Sequence, residues 1–243
     1  MTDQRPEIHK DDVVPSLWKR YKSTNEYKVD HRTHSINSAH SLVKTAEKHG
    51  LNKLVIQFIG QLKNRTNIRE EYEQRDRYQW VDEWMSMHTL LFKYVYKHRG
   101  ATRRTGHDVR FGSPGDEELH RIPLGGSPTY VALNELADTI GYQLKYVNQN
   151  DIDDVCGFLA RIHYGMIRIH PFGDGNGRLA RAVTDQLAIS LGYPPVIAAF
   201  PRLNIFEKEM YHTAITNCIG DTQCASLRTW IKNKIESSIY DIA

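Results

Sequence analysis

The stretch that decides the fold is DIDDVCGFLARIHYGMIRIHPFGDGNGRLARAVTDQLAISLG, residues 151–192. Acidic residues at its start favour a helix N-terminus, and apolar residues then recur at helical spacing up to Ile169. A second helical pattern begins at Leu179 and is stopped by Gly192. Pro171 and three glycines lie between the two patterns. The sequence therefore predicts a helix, a tight glycine-rich loop and a second helix.

The N-terminal part of the chain shows weaker patterns. Residues 1–32 are polar and charged, and we predict an extended or loosely attached arm there. Helical spacing predicts a helical hairpin over 37–47 and 51–62, with Gly50 as the breaker between the two helices. A longer pattern over 68–98 predicts one long helix that anchors the core.

The segment from Gly106 to Gly126 differs from its surroundings. It is rich in glycine and proline and carries short apolar runs, which suit a small β-hairpin better than a helix. Helical spacing resumes at about residue 129. The three cysteines, Cys156, Cys218 and Cys224, lack a disulfide or zinc-site spacing. We expect them to be buried thiols in a reducing compartment.

The bulk properties exclude several classes of protein. The formal charge is only +3, which is too weak to indicate a nucleic-acid partner. The N-terminus lacks the apolar segment of a signal peptide, and no apolar run approaches the roughly 20 residues needed to cross a bilayer. We therefore expect a soluble, cytoplasmic protein with no membrane partner.

The residues between the two central helices have the chemistry needed to handle phosphates. A glycine-rich turn that leads into a helix N-terminus lets backbone N–H groups approach phosphate oxygens. Asp174 offers a hard oxygen ligand for Mg²⁺. Arg178 and Arg181 lie three residues apart on the first helical turns and can reach the same phosphates. His170 titrates near neutral pH and could accept a proton from an attacking hydroxyl.

Each of these residues has a structural alternative. A histidine before Pro-Phe, or an Asp-Gly pair, is usually a loop or turn residue when it occurs alone. The combination in one loop favours a functional site. The loop lacks the Gly-Lys-Ser/Thr ending of a Walker P-loop, and the chain has no HExxH zinc helix. We interpret His163 as a packed core histidine rather than a metal ligand.

The sequence HPFGDGNGR at 170–178, with Arg181, resembles the Fic family motif HxFx(D/E)GNGRxxR at every specified position. The resemblance extends to the preceding helix over 159–172 and to a flap entrance over 100–112. In total it covers about residues 80–235.

The resemblance implies an all-α helical bundle with a small β-hairpin flap near 107–122. We expect an N-terminal arm over 1–32, a helical extension over 33–78 and the Fic core with its C-terminal helices over 79–243. The implied activity is Mg²⁺-dependent transfer of AMP from ATP to a Ser, Thr or Tyr hydroxyl of a target protein, with release of pyrophosphate. The target would bind along the flap by strand addition.

The resemblance also implies a role for each motif residue. His170 would be the general base, and Phe172 would be a core residue that fixes the loop. Asp174 would hold Mg²⁺ between the α- and β-phosphates. The phosphate-binding residues would be Gly175, Asn176, Gly177, Arg178 and Arg181.

Two segments depart from the family pattern. Where many members have Asn-Arg-x-x-Tyr-Tyr, this chain has Glu-Lys-Glu-Met-Tyr-His at 207–212, which keeps Tyr211 as a candidate adenine-side contact. Many members also carry an (S/T)xxxE(G/N) helix whose glutamate blocks the second motif arginine, Arg181. Thr66 to Glu70 fits the first five positions, but Glu71 replaces Gly or Asn. Glu70 is thus a candidate inhibitory residue; the alternative is that Glu70 belongs to a solvated run of charged residues. Activity could instead be restrained by an antitoxin-like partner or a homodimer, or not restrained at all.

Two other functions compete with AMP transfer. Relatives that transfer phosphate replace the second motif glycine with Lys, and a phosphocholine-transferring branch has Ala at the first. This chain keeps Gly175 and Gly177, which favours AMP. A non-catalytic adaptor needs neither the base His170 nor the carboxylate Asp174, so their presence argues against that alternative.

Overall fold

The computed structural model describes residues 7–25, 27, 34–37, 40–54, 56, 66–103, 127–195 and 205–240. Within these residues the fold is almost wholly helical, with one small antiparallel sheet, so the predicted all-α class is confirmed. In chain order the elements are β1 (Glu7–His9), α1 (Pro15–Lys22), β2 (Ser35–Asn37), α2 (Ser41–Leu54), α3 (Ile68–Glu73), α4 (Arg77–Phe92), α5 (Ser127–Gln143), a short 3₁₀ turn (Leu144–Tyr146), α6 (Ile152–Ile169), α7 (Asn176–Ser190), α8 (Ile205–Thr216) and α9 (Ala225–Tyr240).

Helix α6 forms the centre of the bundle, because α5, α7 and α9 all pack against it. Asp151 caps its N-terminus, where the carboxylate accepts the N–H of Asp153 at 2.9 Å. The apolar side chains Val155, Ile162 and Met166 are buried. Both the core helix and its acidic start were predicted from the sequence, and both are confirmed.

Helix α7 follows the glycine-rich loop and packs on α6, α4 and α3. Leu179, Val183 and Leu187 lie at helical spacing and are buried. The predicted order of helix, loop and helix is therefore confirmed, and the loop is fixed between two helices of the core.

The long helix predicted over 68–98 is two helices in the structure. Helix α3 ends at Glu73, and α4 begins after Asp76 and ends at Phe92. The Asp76 carboxylate accepts the Gln79 N–H at 2.9 Å, and the Gln79 side chain accepts the Asp76 N–H at 3.0 Å. This reciprocal capping box starts a new helix where the apolar spacing alone suggested continuity.

The predicted break at Gly50 is wrong. Helix α2 passes through Gly50, and a Cβ at this position would lie 2.0 Å from the carbonyl oxygen of Leu91. The glycine therefore allows α2 to lie directly on α4. Most of the second helix predicted for this hairpin, over 51–62, falls outside the described residues.

The described part of the N-terminal arm packs on the core, which corrects the prediction of a loose attachment. Strand β1 pairs with β2 with Ile8 opposite Ile36. Val13 forms an isolated antiparallel bridge with Tyr96, and Leu17 is 3% exposed. The apolar residues scattered through this polar segment are enough to anchor it.

The remaining sequence predictions have mixed outcomes. Cys156, Cys218 and Cys224 are free and buried, as expected, and the thiols of Cys218 and Cys224 donate to the carbonyls of Ala214 and Asp221 at 3.4 and 3.7 Å. None of the described helices combines the length and apolar character needed to span a bilayer. The flap predicted near 107–122 lies outside the described residues, and the proposed domain boundaries stay predictions.

Candidate active site

The loop between α6 and α7 is held in shape by the side chain of Asn176. Its Oδ1 accepts the N–H of Phe172 at 2.9 Å, and its Nδ2 donates to the Phe172 carbonyl at 2.8 Å. Asn176 is 1% exposed, so both bonds are shielded from water. The amide side chain is thus committed to the loop, and Asn176 offers a ligand only its backbone N–H.

Backbone N–H groups converge at the start of α7. The first hydrogen bond of this helix runs from the Leu179 N–H to the Gly175 carbonyl at 3.0 Å. The N–H groups of Asn176, Gly177 and Arg178 therefore have no acceptor within the helix. The helix dipole adds positive potential at the same place. This arrangement suits a phosphate.

The side chains of Phe92 and Phe172 pack between the loop and α4. Gly175 has a φ of 82°, in the left-handed region that favours glycine. A Cβ at Gly175 would lie 2.1 Å from Cε2 of Phe92, so no further side chain fits between the loop and α4. Phe172 is fully buried and stacks on His88, with ring centroids 3.8 Å apart and planes at 8°. Phe172 therefore occupies the core position that the sequence prediction gave it.

His88 is a structural residue that the sequence analysis missed. Its Nδ1 accepts the N–H of Gly100 at 2.9 Å, so its Nε2 carries the proton and donates to the Asp174 carbonyl at 3.0 Å. Burial lowers the pKa of His88 to about 4, which keeps the ring neutral. The only signal in the sequence is its position on the apolar face of α4, between Trp84 and Leu91.

His170 lies at the entrance of the loop, with a left-handed φ of 47°. Its Nδ1 lies 3.3 Å from the Ile167 carbonyl. Because a carbonyl can only accept, Nδ1 carries the proton and Nε2 keeps its lone pair. Burial and the nearby Arg103 guanidinium lower the pKa of His170 to about 4. The imidazole is therefore neutral at physiological pH, as a proton acceptor must be.

Arg103 holds the end of α6 and the start of the loop. It is 4% exposed, and its Nε donates to the carbonyl of His170. Its Nη2 donates to the Ile169 carbonyl at 3.1 Å, and its backbone N–H donates to the Pro171 carbonyl at 2.7 Å. A buried cation thus satisfies the last carbonyls of α6 at the negative end of the helix dipole.

Asp174 is partly exposed, and both of its carboxylate oxygens accept hydrogen bonds. Oδ1 accepts the N–H of Gly175 at 2.6 Å, and Oδ2 accepts the hydroxyl of Tyr96 at 2.9 Å. Nη2 of Arg178 lies 3.4 Å from both oxygens. Tyr96 is a second residue that the sequence analysis missed, because it lies 78 positions away in the chain.

The donor set fits a magnesium ion that is shared with a substrate. Among the described residues, no cluster of three or more His, Cys, Asp and Glu side chains could hold a metal by itself. Mg²⁺ typically binds one or two carboxylates together with substrate phosphates. Two of the lone pairs of Asp174 accept the Gly175 N–H and the Tyr96 hydroxyl, and the others face Nη2 of Arg178 at 3.4 Å, a long contact that a metal ion would replace. Asp174 next to the N–H groups of α7 meets this requirement.

Arg178 is held by a carboxylate from the N-terminal part of the chain. Its Nη1 lies 3.2 Å from Oε2 of Glu47 on α2, and the Glu47 side chain is 5% exposed. The guanidinium carbon also lies 4.5 Å above the Phe92 ring centroid. The structure therefore brings Arg178 to the loop as predicted, but Glu47 already occupies one edge of its guanidinium group.

Arg181 lies over a buried hydrogen-bonded cluster. Its guanidinium carbon is 5.7 Å from the ring centroid of Tyr211. The Tyr211 hydroxyl lies 2.8 Å from Nε2 of His163, and Nδ1 of His163 lies 2.8 Å from the hydroxyl of Thr184. Thr184 donates to the Ala180 carbonyl, so His163 donates to Thr184 and accepts from Tyr211.

This cluster changes the interpretation of Tyr211. The sequence analysis proposed an adenine-side contact, but Tyr211 is 4% exposed and its hydroxyl bonds to His163. Burial raises the pKa of Tyr211 and lowers that of His163 to about 3. Tyr211 thus supports Arg181 from the core, and His163 is the packed histidine that was predicted.

The motif residues lie together, whereas Glu70 does not join them. His170, Asp174 and Arg178 surround one loop at the start of α7. Glu70 is exposed on α3, and within the described part of the chain its carboxylate has no ion pair with Arg181. Among the described residues outside the loop, a carboxylate that does contact a motif arginine is that of Glu47, which lies 3.2 Å from Arg178.

Comparison with known proteins gives three kinds of match. Residues 80–188 match the sequence profile of the Fic/DOC family. A protein adenylyltransferase Fic from Drosophila mojavensis is 50% identical over 85 residues, which cover 34% of this chain and 17% of that relative. A protein of the same name from Nematostella vectensis is 49% identical over 43 residues, or 18% of this chain and 10% of the relative. The chain thus matches only a small part of the length of these relatives.

Solved structures share the fold at low sequence identity. Fic-1 from C. elegans is 16% identical with a TM-score of 0.61, covering 96% of this chain and 61% of that one. The N-terminal Fic domain of a Bartonella quintana protein, solved with bound ADP, is 16% identical with a TM-score of 0.58 over 83% of this chain and 87% of that one. BepC from Bartonella tribocorum, solved with bound AMPPNP, is 16% identical with a TM-score of 0.55 over 79% and 87% of the two chains.

Proposed function

Because the chain belongs to the Fic/DOC family, we propose that it transfers AMP from ATP to a Ser, Thr or Tyr hydroxyl of a target protein and releases pyrophosphate. One observation carries this proposal. A neutral imidazole, a partly exposed carboxylate and the N–H groups of a helix N-terminus that have no acceptor within the helix lie around the same loop.

His170 is the proton acceptor in this reaction. The target hydroxyl loses its proton to Nε2 as its oxygen forms a bond to the α-phosphorus of ATP. The bond from that phosphorus to the bridging oxygen breaks, and the electron pair leaves with pyrophosphate. A positioned base typically contributes about 10²–10⁴ in rate. The hydrogen bond from Nδ1 to the Ile167 carbonyl supports this role, because it orients the ring and fixes its tautomer.

The start of α7 binds the triphosphate. The N–H groups of Gly177 and its neighbours accommodate phosphate oxygens, and the guanidinium groups of Arg178 and Arg181 orient the outer phosphates. Mg²⁺ bound to Asp174 would neutralise charge between the α- and β-phosphates. Buried donors that are fixed in advance stabilise developing charge at little cost in reorganisation.

The relatives support the choice of reaction but do not identify the target. The matched relatives are named protein adenylyltransferase, and two structural neighbours were solved with ADP or AMPPNP. We propose that the target binds along the flap predicted near 107–122 by strand addition. Inhibition by an antitoxin-like partner or a homodimer remains a further proposal from the family resemblance.

The reaction is tested with ATP labelled at either the α- or the γ-phosphate, in the presence of Mg²⁺ and a cell lysate. We expect the wild type to transfer the α-label to protein and His170→Ala to lose transfer almost completely. His34→Ala, which removes an exposed histidine outside the loop, is the matched control and should keep full transfer. Transfer of the γ-label would indicate phosphorylation, and transfer of neither label would favour a non-catalytic adaptor.

We also propose that Glu47, rather than Glu70, restrains the enzyme. The Glu47 carboxylate occupies an edge of Arg178 that the outer phosphates need. Lys44 lies 3.4 Å from the same carboxylate, so α2 holds it firmly. ATP must displace this buried ion pair in order to bind productively.

The restraint predicts a difference between two glutamate variants. Glu47→Gln keeps the size of the side chain but removes its charge, and it should raise α-label transfer about tenfold, equivalent to roughly 1.4 kcal/mol of competition. Glu70→Gln changes an exposed carboxylate and should leave transfer unchanged. If Glu70→Gln activates the enzyme and Glu47→Gln does not, the assignment to Glu47 is wrong.

A further inference from the structure

Asp174 is oriented by a hydroxyl from outside the loop. Tyr96, which follows the end of α4, donates its hydroxyl to Oδ2 at 2.9 Å. Its ring packs against Phe92, with centroids 5.1 Å apart. The hydrogen bond and the ring contact together fix the direction in which the carboxylate points.

This orientation matters because Arg178 competes for the same carboxylate. The Asp174 side chain is 43% exposed, and the guanidinium group of Arg178 lies 3.4 Å from both oxygens. Without the Tyr96 hydroxyl, the carboxylate could turn fully toward Arg178. With Oδ2 held by Tyr96 and Oδ1 by the Gly175 N–H, the remaining lone pairs keep a fixed direction.

The N-terminal arm holds the backbone on both sides of Tyr96. The Val14 N–H donates to the Val95 carbonyl at 2.9 Å, and the Lys97 N–H donates to the Asp12 carbonyl at 2.8 Å. Val13, the bridge partner of Tyr96, is fully buried. The arm and the segment around Tyr96 therefore form one hydrogen-bonded unit.

We propose that Tyr96 is a positioning residue for the magnesium carboxylate of Asp174, and that residues 12–14 of the arm keep Tyr96 in place. This inference rests on the proposed function, because it assigns Mg²⁺–nucleotide binding to Asp174. Residues that hydrogen-bond to a metal ligand typically change metal affinity about 10- to 100-fold when they are mutated. The arm thereby supports the active site through Tyr96.

The test measures nucleotide binding rather than turnover. Calorimetric titration with AMPPNP at increasing MgCl₂ gives the Mg²⁺ concentration at which tight binding is half-maximal. We expect this concentration to rise about tenfold in Tyr96→Phe, with unchanged AMPPNP affinity in EDTA. Tyr94→Phe removes a hydroxyl from the same turn without touching Asp174 and should match the wild type. A merely structural role for Tyr96 would weaken binding in EDTA as well.

A backbone variant tests the contribution of the arm. Val14 has φ −61° and ψ 140° and precedes Pro15, so Val14→Pro fits the local conformation and removes the N–H donor to Val95. We expect it to shift the Mg²⁺ dependence about threefold in the same direction, since it removes one of the two flanking hydrogen bonds. The double variant with Tyr96→Phe should be no worse than Tyr96→Phe alone, because both changes act through one hydroxyl.

The outcomes separate this inference from the proposed function. If the wild type binds AMPPNP with Mg²⁺ and Tyr96→Phe shows the same Mg²⁺ dependence, the role of Tyr96 is refuted and the proposed function stands. An unchanged Val14→Pro refutes the role of the arm. If the wild type binds no nucleotide, the proposed function fails and this inference fails with it.

Discussion

Replacing Gly175 with alanine tests whether the loop lies as close to the core as the structure indicates. Gly175 has a left-handed φ of 82°, which costs an L-residue about 1–2 kcal/mol. The new Cβ would lie 2.1 Å from Cε2 and 2.2 Å from Cζ of Phe92. Overpacking of this kind costs about 1–3 kcal/mol. Gly175→Ala should therefore lower the free energy of unfolding by about 2–5 kcal/mol, a large part of the roughly 5–15 kcal/mol typical of a domain.

A second glycine in the same loop supplies the matched control. A Cβ at Gly173 would meet no atom within 4 Å, and Gly173 is not among the glycines with positive φ. Gly173→Ala should change the free energy of unfolding by no more than about 0.5 kcal/mol. Both variants are compared with the wild type by urea denaturation, read by circular dichroism and by tryptophan fluorescence.

The contact with Phe92 can be removed separately. In Gly175→Ala combined with Phe92→Leu, the steric part of the penalty should largely disappear, so the two changes together should cost less than the sum of their separate effects. If Gly175→Ala is as stable as Gly173→Ala, or if the two changes simply add, the loop does not rest on Phe92 and the geometry derived for it is wrong.

Three further predictions concern the surrounding residues. Burial lowers the pKa of His163 to about 3, so between pH 6.5 and about 3 the unfolded chain binds a proton that the folded chain does not, and the free energy of unfolding falls as the pH falls. In urea titrations, the decrease in this free energy between pH 8 and pH 5 should be about 2 kcal/mol smaller in His163→Gln than in the wild type. An equal decrease in the two proteins would contradict this prediction. Asn176→Ala removes two buried bonds to Phe172 and should lower the unfolding free energy by about 2–3 kcal/mol, whereas the exposed Asn150→Ala should be neutral. Arg103→Lys keeps the charge but loses the planar guanidinium group that donates to the carbonyls of His170 and Ile169. Because these bonds hold the backbone of His170, α-label transfer should fall about tenfold or more. Full transfer would show that His170 is oriented without the Arg103 guanidinium group.

The sequence predicted those parts of the fold that depend on local periodicity. The apolar spacing before His170 and after Leu179 was enough to place α6, the loop and α7, because each helix buries one continuous face. The same reasoning failed at Asp76, where a capping box interrupts a pattern that otherwise looks continuous. It also failed at Gly50, because the need for a glycine there comes from the backbone of Leu91 on another helix.

The active-site residues that were missed are all distant in the chain from the loop that they support. His88 and Tyr96 come from α4 and the turn after it, and Glu47 comes from α2. None belongs to a local motif, and the packing of α2 on α4 and of α4 on α7 brings them to the loop. For the same reason the motif fit at Glu70 could not show whether its carboxylate reaches Arg181, since spacing along the chain does not show which carboxylate lies beside a motif arginine.

The most direct test of the central claim is a crystal structure of the protein with AMPPNP and Mg²⁺. We predict that the metal is bound by Asp174, that phosphate oxygens accept hydrogen bonds from the N–H groups at the start of α7, and that Nε2 of His170 faces the α-phosphate. A nucleotide bound elsewhere, or His170 turned away from the α-phosphate with Asp174 unliganded, would contradict the account.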